Sequence, residues 1–521
     1  MTTQVAPAPS PLGARPARRG LARLAGGTPA LAAIVVLAAG ARLWALDGVG
    51  YNSDEAVYAG QAAAIADDPV LTPFFPIFRA HPILFQAFLS LAFEFGVNDL
   101  LGRSVAAAIG LATVGLVYVV GRDLYGRTAG GLAALLLGVM PYHVVVTRQV
   151  LLDGPMALFS TLTLYTLVRF GRSQRAVWLC AAGAGFGLTM LSKTNGIVML
   201  GALYTTLALA PSLRVRLHAL VLTGVCLGLV VLPYPATVTL AGRGETGRQY
   251  LAWQLFRRPN HEWDFYLTTV PAALGILVVL LALAGLWLLR REGSWREVLL
   301  VSWIVVPVAF FQLWPTKGFQ YLLPIAPAVA VLAARTLARA AVPVGWLARA
   351  GLDHTSARAG LTTMVLLSLL VPTWQAVQPS GSDQFLAGSG GVVGGREVGT
   401  WIRDNVPESA ELLTVGPSMA NIIQFYGHRK AYGLSVSPNP LHRNPSYEPV
   451  DNPDRRIRNN ELQYVVWDSF SAARTPFFAD GVLRYVTKYH GRVVHTESVT
   501  VRTSMGESTR KPVIVVYEVR P

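Results

Sequence analysis

The chain has 521 residues, of which 52% are hydrophobic and only 14% charged, and its net charge is +15. A soluble domain carries about 25% charged residues, so this composition excludes an ordinary soluble protein. Residues 380–521 hold 16 Lys and Arg against 14 Asp and Glu, so the basic excess lies in the apolar part. This basic excess is typical of the cytoplasmic loops of a membrane protein and does not indicate nucleic-acid binding.

Apolar runs near 20 residues, the length that crosses a hydrocarbon core, recur up to residue 378. They predict a polytopic α-helical membrane protein with about eleven transmembrane helices. The predicted spans lie near 28–47, 100–121, 128–146, 155–171, 176–192, 195–211, 217–238, 266–290, 297–314, 319–340 and 360–378. Four arginines before the first run and many runs after it predict an uncleaved signal anchor with a cytoplasmic N-terminus. Every Arg-rich connector then falls on one side, which favours eleven spans.

Two shorter segments, 54–66 and 81–96, are predicted to be amphipathic helices in the outer interface of the membrane. Segment 81–96 is short for a crossing and carries Glu94. Counting it as a span would invert the topology of everything after it. The sequence alone leaves its crossing open.

The chain is predicted to have four parts. These are a basic cytoplasmic N-terminus (1–27), a transmembrane domain (28–378), a Gly/Ser-rich linker (379–395) and an extracytoplasmic α/β domain (396–521). In the last part, the strand-like runs "ELLTV", "LQYVVWD" and "VIVVYEV" alternate with helical patterns around 396–405, 418–426 and 476–489.

Acidic residues of the membrane part are predicted to gather on its outer side. Under this topology the cytoplasmic connectors hold only Asp123, Glu292, Glu297 and Asp353, and the other eleven acids face outward. We therefore expect the working face of the protein to be external.

Three outward-facing features carry chemistry. They are Asp54 and Glu55 in "YNSDEAVYAG", Arg148 and Asp153 in "TRQVLLDGP", and a set of potential cations at the outer ends of spans: Arg79, His81, Lys193 and Lys317. Ionisable groups at membrane depth are costly and indicate function. Such a site suits a substrate with an anionic head and an apolar tail, such as a polyprenyl-phosphate sugar. A carboxylate could then deprotonate an acceptor hydroxyl.

Each of these residues also has a structural interpretation. The acidic pair suits a helix N-terminus, and the acid before Gly154-Pro155 could cap the next span. A lysine at a span end can snorkel, and Lys317 with Tyr321 could form an interfacial anchor. Arg148 could pair with an acid as readily as bind phosphate.

Five motifs occur in an order that resembles the membrane glycosyltransferases of the GT-C fold. They are "SDEAVYAG", "HPIL", "RQVLLDGPMALF", "LSKTNG" and "GFQYLLPIAP". The nearest resemblance is to the bacterial aminoarabinose transferases of lipid A and the protein O-mannosyltransferases. It covers roughly residues 30–340.

The resemblance implies an inverting transferase at the outer face of a bacterial cytoplasmic membrane. Its donor would be a polyprenyl-phosphate sugar and its acceptor a lipid, glycan or protein hydroxyl. It implies Asp54 as the base, with Glu55 and Asp153 as further catalytic acids. It implies Lys193 and Lys317 as phosphate-binding cations, and His81 stands where a lysine is common. The positions of Arg79, Arg148 and Tyr321 on the outer side add them, with His81, to the predicted substrate-binding residues.

Some proteins of this fold bind a divalent metal near the site. The loop "RRPNHEWDFY" offers His261 and Glu262, with Asp264 beside them, as potential ligands.

Two other functions are compatible with a polytopic membrane protein. A transporter or lipid flippase is the main alternative, but transporters usually show inverted repeats and charges near the bilayer midplane, whereas these charges gather at one face. A catalytically silent assembly or sensor protein with the same fold is the other. The sequence predicts neither the sugar nor the acceptor.

Overall fold

The computed structural model describes residues 27–77, 81–339, 354–379, 387, 391–502 and 508–521. Most of the predicted N-terminal segment and linker, and the candidate Arg79, lie outside the described residues.

Residues 27–379 are mainly helical. The α-helices are Thr28–Leu43, Ser53–Ile65, Leu84–Phe93, Asp99–Tyr125, Arg127–Gly138, Pro141–Thr147, Asp153–Ser173, Ala176–Ser192, Val198–Leu209, Leu217–Val231, Pro233–Leu240, Gly244–Leu255, Phe265–Leu274, Ile276–Leu288, Trp295–Leu313, Ala326–Arg339 and His354–Val377. Short 3-10 turns lie at Thr194–Ile197, Arg290–Glu292 and Phe319–Ile325. Every predicted span therefore coincides with a helix or a pair of helices.

The number of spans differs from the prediction. Within the described residues, five helices are long and apolar enough to cross a membrane, or up to seven if each of two bent pairs is one span. The predicted count of eleven is not confirmed. Several predicted spans, among them Thr28–Leu43 and Ala176–Ser192, form apolar helices below the 18 residues required of a candidate span.

Two predicted spans are bent at residues that interrupt a helix. The predicted span 128–146 breaks by 60° before Pro141, where the proline has no N–H to continue the ladder. The predicted span 266–290 turns by 93° at Gly275. Its φ of +90° is a conformation that glycine adopts without steric cost.

The candidate spans differ greatly in how much of their surface the protein itself covers. In the most apolar window of Phe319–Arg339, 89% of the residues are buried, whereas only 11% are buried in that of Leu217–Leu240. The first helix is central to the bundle and the second is peripheral.

The predicted interfacial segments both contain helices. Ser53–Ile65 has 13 residues and Leu84–Phe93 has 10. Since a span needs about 20 residues, the helix Leu84–Phe93 is too short to cross a membrane alone.

One end of the bundle collects arginines around a few acids. Asp123 pairs with Arg122 at 3.0 Å and lies 3.5 Å from Arg169. The Tyr125 hydroxyl donates to Glu297 over 2.6 Å, and Arg335 lies 3.4 Å from the same carboxylate. We call this the arginine end.

Residues 395–521 fold around a five-stranded sheet. Its strands are β1 (Glu411–Thr414), β2 (Ala431–Gly433), β3 (Leu462–Asp468), β4 (Arg492–Arg502) and β5 (Ser508–Glu518), in the order β2-β1-β3-β5-β4. Strands β2, β1 and β3 are parallel, while β5 is antiparallel to β3 and β4. The α-helices are Gly395–Asn405, Pro417–Ile422, Pro453–Arg458, Ser469–Arg474 and Pro476–Lys488, with a π-turn at Ile423–Gly427. The three predicted strands and helical segments are all present, and β2 and β4 are additions.

Candidate active site

The helix Ser53–Ile65, here called the acidic helix, begins with a reciprocal cap. The Asn52 side chain accepts the Glu55 N–H over 3.0 Å, and the Glu55 carboxylate accepts the Asn52 N–H over 3.0 Å. Asp54 and Glu55 lie in the first turn, where the helix dipole favours negative charge. Glu55 is fully buried and Asp54 is half-buried, so the two neighbouring acids occupy different environments.

Glu55 is held inside the protein by four hydrogen bonds. Arg103 donates to its two oxygens over 2.8 and 2.7 Å, and the N–H groups of Val150 and Asn52 complete the set. Arg103 also donates to the carbonyls of the 46–50 segment. These contacts hold the Glu55 carboxylate inside the protein, and its catalytic role stays a prediction.

Asp153 and Lys193 form a second buried ion pair. The Lys193 ammonium lies 2.9 and 2.7 Å from the two Asp153 oxygens. Lys193 is 5% exposed and Asp153 is 1% exposed. They meet because Asp153 begins one helix and Lys193 follows the next, and short connections make such helices antiparallel neighbours. The ammonium also lies 4.8 Å from the centroid of the Tyr321 ring.

The Asp153–Lys193 pair lies near Asp54 and Tyr58 of the acidic helix. Burial raises the pKa of the Tyr58 phenol well above its ordinary value, and the nearby carboxylates of Asp54 and Asp153 add to this shift. Burial lowers the pKa of Lys193, but Asp153, Tyr321 and Asp54 together outweigh burial and the net shift of the pKa is upward. Asp54, Asp153, Lys193 and Tyr321 therefore share one electrostatic environment.

His81 lies in the same region but is not a cation. Its Nε2 is 3.1 Å from the Tyr250 hydroxyl, and its ring packs edge-on against Tyr58 and Tyr250. Burial lowers the pKa of His81 to about 3, and the charges of Lys193 and Arg257 add to the shift. His81 is therefore neutral at pH 7, so it can offer a phosphate a hydrogen bond but not a charge.

Two further cations lack a carboxylate partner among the residues that the structure describes. Lys317 is 5% exposed, and Asn260 fixes its main chain with hydrogen bonds of 2.9 and 2.8 Å. Its ammonium lies 5.9 Å from the Trp263 ring centroid. Arg257 lies 4.5 Å over the ring of Trp253. Lys317 is buried and Arg257 is half-buried, and cations without a carboxylate partner are suited to an incoming anion.

Arg257 and Arg474 are site residues that the sequence reasoning missed. Arg474 ends the helix Ser469–Arg474 of the C-terminal region. Partial burial and the charge of Arg257 lower the pKa of the Arg474 guanidinium, while Asp54 raises it. A residue far along the chain thus lies within electrostatic range of the predicted base, and no local motif indicated it.

Other candidates lie elsewhere. Arg148 donates to the carbonyls of Ala41 and Ala45 over 3.0 and 3.4 Å, so its partners here are main-chain oxygens and not the acid that its structural interpretation expects. His261 stacks on Phe265 with ring centroids 4.0 Å apart.

In the described part of the chain, no group of three His, Cys, Asp or Glu side chains could hold a metal ion. His261 and Glu262 therefore do not form the multi-ligand set that divalent metals require.

Comparison with known proteins relates part of the chain to mannosyltransferases. Residues 80–236 match the family model for dolichyl-phosphate-mannose-protein mannosyltransferase. The putative mannosyltransferase YkcB of Bacillus subtilis (strain 168) is 28% identical over 164 residues, which are 30% of this chain and 22% of that protein. The match thus spans less than a quarter of the relative's length.

Solved structures match over nearly the whole chain. ArnT from Cupriavidus metallidurans in the apo state has a TM-score of 0.67 at 17% identity, covering 94% of this chain and 98% of ArnT. The same ArnT bound to undecaprenyl phosphate has a TM-score of 0.66 at 16% identity, with the same coverage. The archaeal oligosaccharyltransferase AglB from Archaeoglobus fulgidus, in complex with an inhibitory peptide and a dolichol-phosphate, has a TM-score of 0.56 at 13% identity, covering 92% of this chain and 73% of AglB.

At these identities the similarity is one of fold. The GT-C fold predicted from the order of the motifs is confirmed. The chain is a multi-pass membrane protein with the fold of glycosyltransferases that use lipid-linked donors.

Proposed function

We propose that this protein transfers a monosaccharide from a polyprenyl-phosphate donor to an acceptor hydroxyl. The observation that carries the proposal is the convergence of Asp54 with the Asp153–Lys193 pair at one end of a GT-C bundle. Supporting it, the matched ArnT structure contains undecaprenyl phosphate and the matched AglB structure contains dolichol-phosphate. The matched family model likewise names a dolichyl-phosphate sugar.

In the proposed reaction, Asp54 is the general base. Its carboxylate accepts the proton of the acceptor hydroxyl while that oxygen attacks the anomeric carbon. The bond from this carbon to the phosphate oxygen breaks, with inversion of configuration, and polyprenyl phosphate leaves. Asp54 lies in the first turn of the acidic helix, where the helix dipole favours a negative charge.

The leaving phosphate needs charge stabilisation more than a proton. Lys317 and Arg257 are placed for this task, since neither pairs with a carboxylate in the described residues and both lie beside aromatic rings. Lys193 already carries a partner in Asp153. We therefore assign the Asp153–Lys193 pair to orienting the donor next to Tyr321, with neutral His81 as a hydrogen-bonding group. Arg79 stays a predicted phosphate ligand, outside the described residues.

We place the reaction at the outer face of a bacterial cytoplasmic membrane, with the N-terminus inside and the C-terminal domain outside. The helix Asp99–Tyr125 supports this orientation. Near its start, Arg103 binds Glu55 beside the proposed site, and at its end Tyr125 reaches the arginine end. Its 27 residues correspond to about 40 Å, the thickness of a bilayer with its headgroups, and arginine-rich ends favour the cytoplasm.

The direct test is donor consumption by membranes that contain the protein. Polyprenyl-phosphate sugars of defined structure are supplied singly, and release of polyprenyl phosphate is measured for the wild type and for Asp54→Asn. We expect Asp54→Asn to lower turnover by about 10²–10⁴-fold, because a positioned base contributes that much. The donor KM should change little.

Asp68→Asn is the matched control. Like Asp54, Asp68 lies between the helices Thr28–Leu43 and Asp99–Tyr125. Its side chain accepts the N–H groups of Val70 and Leu71, and an Asn side chain can accept the same hydrogen bonds. Its turnover should equal that of the wild type. Full activity of Asp54→Asn would remove the assigned base, and a wild type that consumes none of the donors would contradict the transferase assignment.

A further inference from the structure

Tyr426 joins the C-terminal region to the start of the acidic helix. It lies in the turn Ile423–Gly427 and is 9% exposed. Its hydroxyl donates to the Asp99 carboxylate over 2.6 Å and accepts the Tyr51 N–H over 2.6 Å. A single phenol thus binds two separate segments of the membrane region.

Both of these segments lead to the proposed base. Tyr51 directly precedes Asn52, the residue that caps the acidic helix. The Tyr51 ring also lies 5.2 Å from the Arg103 guanidinium, which holds Glu55. Fixing the Tyr51 N–H therefore fixes the main chain at the point where Asp54 enters the helix.

A second contact from the same region lies even nearer to Asp54. The Asn421 amide donates to the Ser53 hydroxyl over 3.1 Å, and both residues are buried. Phe425 packs edge-on against Tyr51 and Phe75, with centroids 5.3 and 6.2 Å apart. Phe75 in turn fills the space beside Gly60 of the acidic helix.

An ion pair at the edge of this contact completes the attachment. Arg396 lies 2.7 Å from Asp47 and 3.2 Å from Asp99. Its side chain is 29% exposed, so among the described residues that bind the Asp99 carboxylate it is less buried than Tyr426.

We propose that Tyr426 is a positioning residue for sugar transfer: through Tyr51 and Asp99 it holds the acidic helix so that Asp54 faces the donor site. The inference rests on the proposed function. It makes the C-terminal region a part of the active site rather than an independent module.

Tyr426→Phe tests this with the ring retained and the hydroxyl removed. The Tyr51 N–H loses its acceptor, and Asp99 keeps only the Arg396 contact among those described above. Because a displacement of about 1 Å can cost 10²-fold in rate, we expect kcat per folded protein to fall about 10–100-fold. The donor KM should stay within about threefold, since the cations that would bind the phosphate are unchanged.

Tyr485→Phe is the matched control, because this half-buried phenol is in the same domain and makes no hydrogen bond in the described structure. Folded protein is quantified by size-exclusion chromatography and thermal unfolding, so that a loss of folded material does not count as a loss of kcat. A kcat within threefold of the control overturns the proposal, whatever the donor KM. A larger fall at equal folded amounts supports it.

Asn421→Ala provides a second test if Tyr426→Phe yields little folded protein. It removes the contact with Ser53, and we expect kcat to fall about three- to tenfold. Full activity of this variant would then overturn the proposal. Asp54→Asn distinguishes a failure of the positioning proposal from a failure of the proposed function. If Asp54→Asn is inactive while Tyr426→Phe and Asn421→Ala are as active as Tyr485→Phe, the positioning proposal is wrong and the proposed function stands.

Discussion

The two buried ion pairs of the membrane region, Glu55–Arg103 and Asp153–Lys193, look alike by burial but differ in their surroundings. The remaining N–H groups of Arg103 bind main-chain carbonyls of the 46–50 segment, so the first pair is closed within the protein. The ammonium of the second pair faces the Tyr321 ring and is influenced by Asp54.

The difference follows from the chemistry of the two cations. A guanidinium presents five donors in a fixed fork and can bind a carboxylate and several carbonyls at once, whereas an ammonium is a compact, movable charge. Burial alone therefore does not distinguish Glu55 from Asp153. The other groups that the partner cation contacts do.

Among these variants, Arg103→Met should have the largest effect, and that effect should be a loss of folding stability. Breaking a buried pair by removing one partner costs about 3–5 kcal/mol, because the remaining charge is left buried. The Glu55 carboxylate would lose two of its four hydrogen bonds, and three carbonyls would lose their Arg103 donor. We expect little folded protein and a strongly lowered midpoint in thermal unfolding.

Arg103→Lys is the matched variant for that prediction. It keeps the charge but cannot reproduce the fork, so it should recover only part of the loss. A wild-type unfolding midpoint for Arg103→Met would show that the Glu55–Arg103 pair does not hold the acidic helix.

Asp153→Asn should give the opposite pattern, with a loss of activity that exceeds the loss of stability. Turnover per folded protein is expected to fall about 10–100-fold, because Lys193 would no longer be oriented. Stability should fall by less than about 2 kcal/mol, since Lys193 keeps the Tyr321 face and the nearby Asp54 charge. Donor turnover and thermal unfolding are measured together, with the exposed Asp264→Asn as the control. A stability loss as large as that of Arg103→Met would remove the distinction between the pairs.

His81 sharpens the comparison, because it is largely buried and its pKa is lowered to about 3, chiefly by that burial. An unfolded histidine titrates near 6.5. Between these values the unfolded chain binds the additional proton, so stability is retained above pH 6.5 and lost as the pH falls towards 3. From pH 7 to pH 5 the loss from His81 alone is about 2 kcal/mol.

The check is the unfolding midpoint at pH 7 and pH 5 for the wild type and for His81→Asn. The wild type should lose more on acidification than the variant, which has no titrating group there. Equal losses would mean that His81 does not titrate as its burial predicts.

The sequence predicted the helices well because apolar length is a strong signal, and it placed the three strands with continuous Val, Ile and Leu runs. It missed β2, which has only three residues, and β4, whose charged and polar residues suit an edge strand. It also missed the bends before Pro141 and at Gly275, because the length of an apolar run does not show whether the helix is straight or bent.

For the site, the motifs identified the acids and cations but not their relations. Adjacent residues on a helix point about 100° apart, so only the structure shows that Glu55 turns inward to Arg103. Arg257 and Arg474 were missed for another reason. Arg474 is influenced by the charges of Asp54 and Arg257, which depends on how distant segments pack. Arg257 begins the loop "RRPNHEWDFY", which suggested only metal ligands, and Arg474 lies in no motif.

The peripheral helix Leu217–Leu240 shows what the protein leaves to its surroundings. Only 11% of the residues in its apolar window are buried by the chain, so most of its side chains keep apolar surface that acyl chains must cover in a membrane. The bilayer is therefore a packing partner of this fold, as much as any neighbouring helix. For Leu217–Leu240, exchanging lipid for detergent changes the molecules against which most of the helix packs.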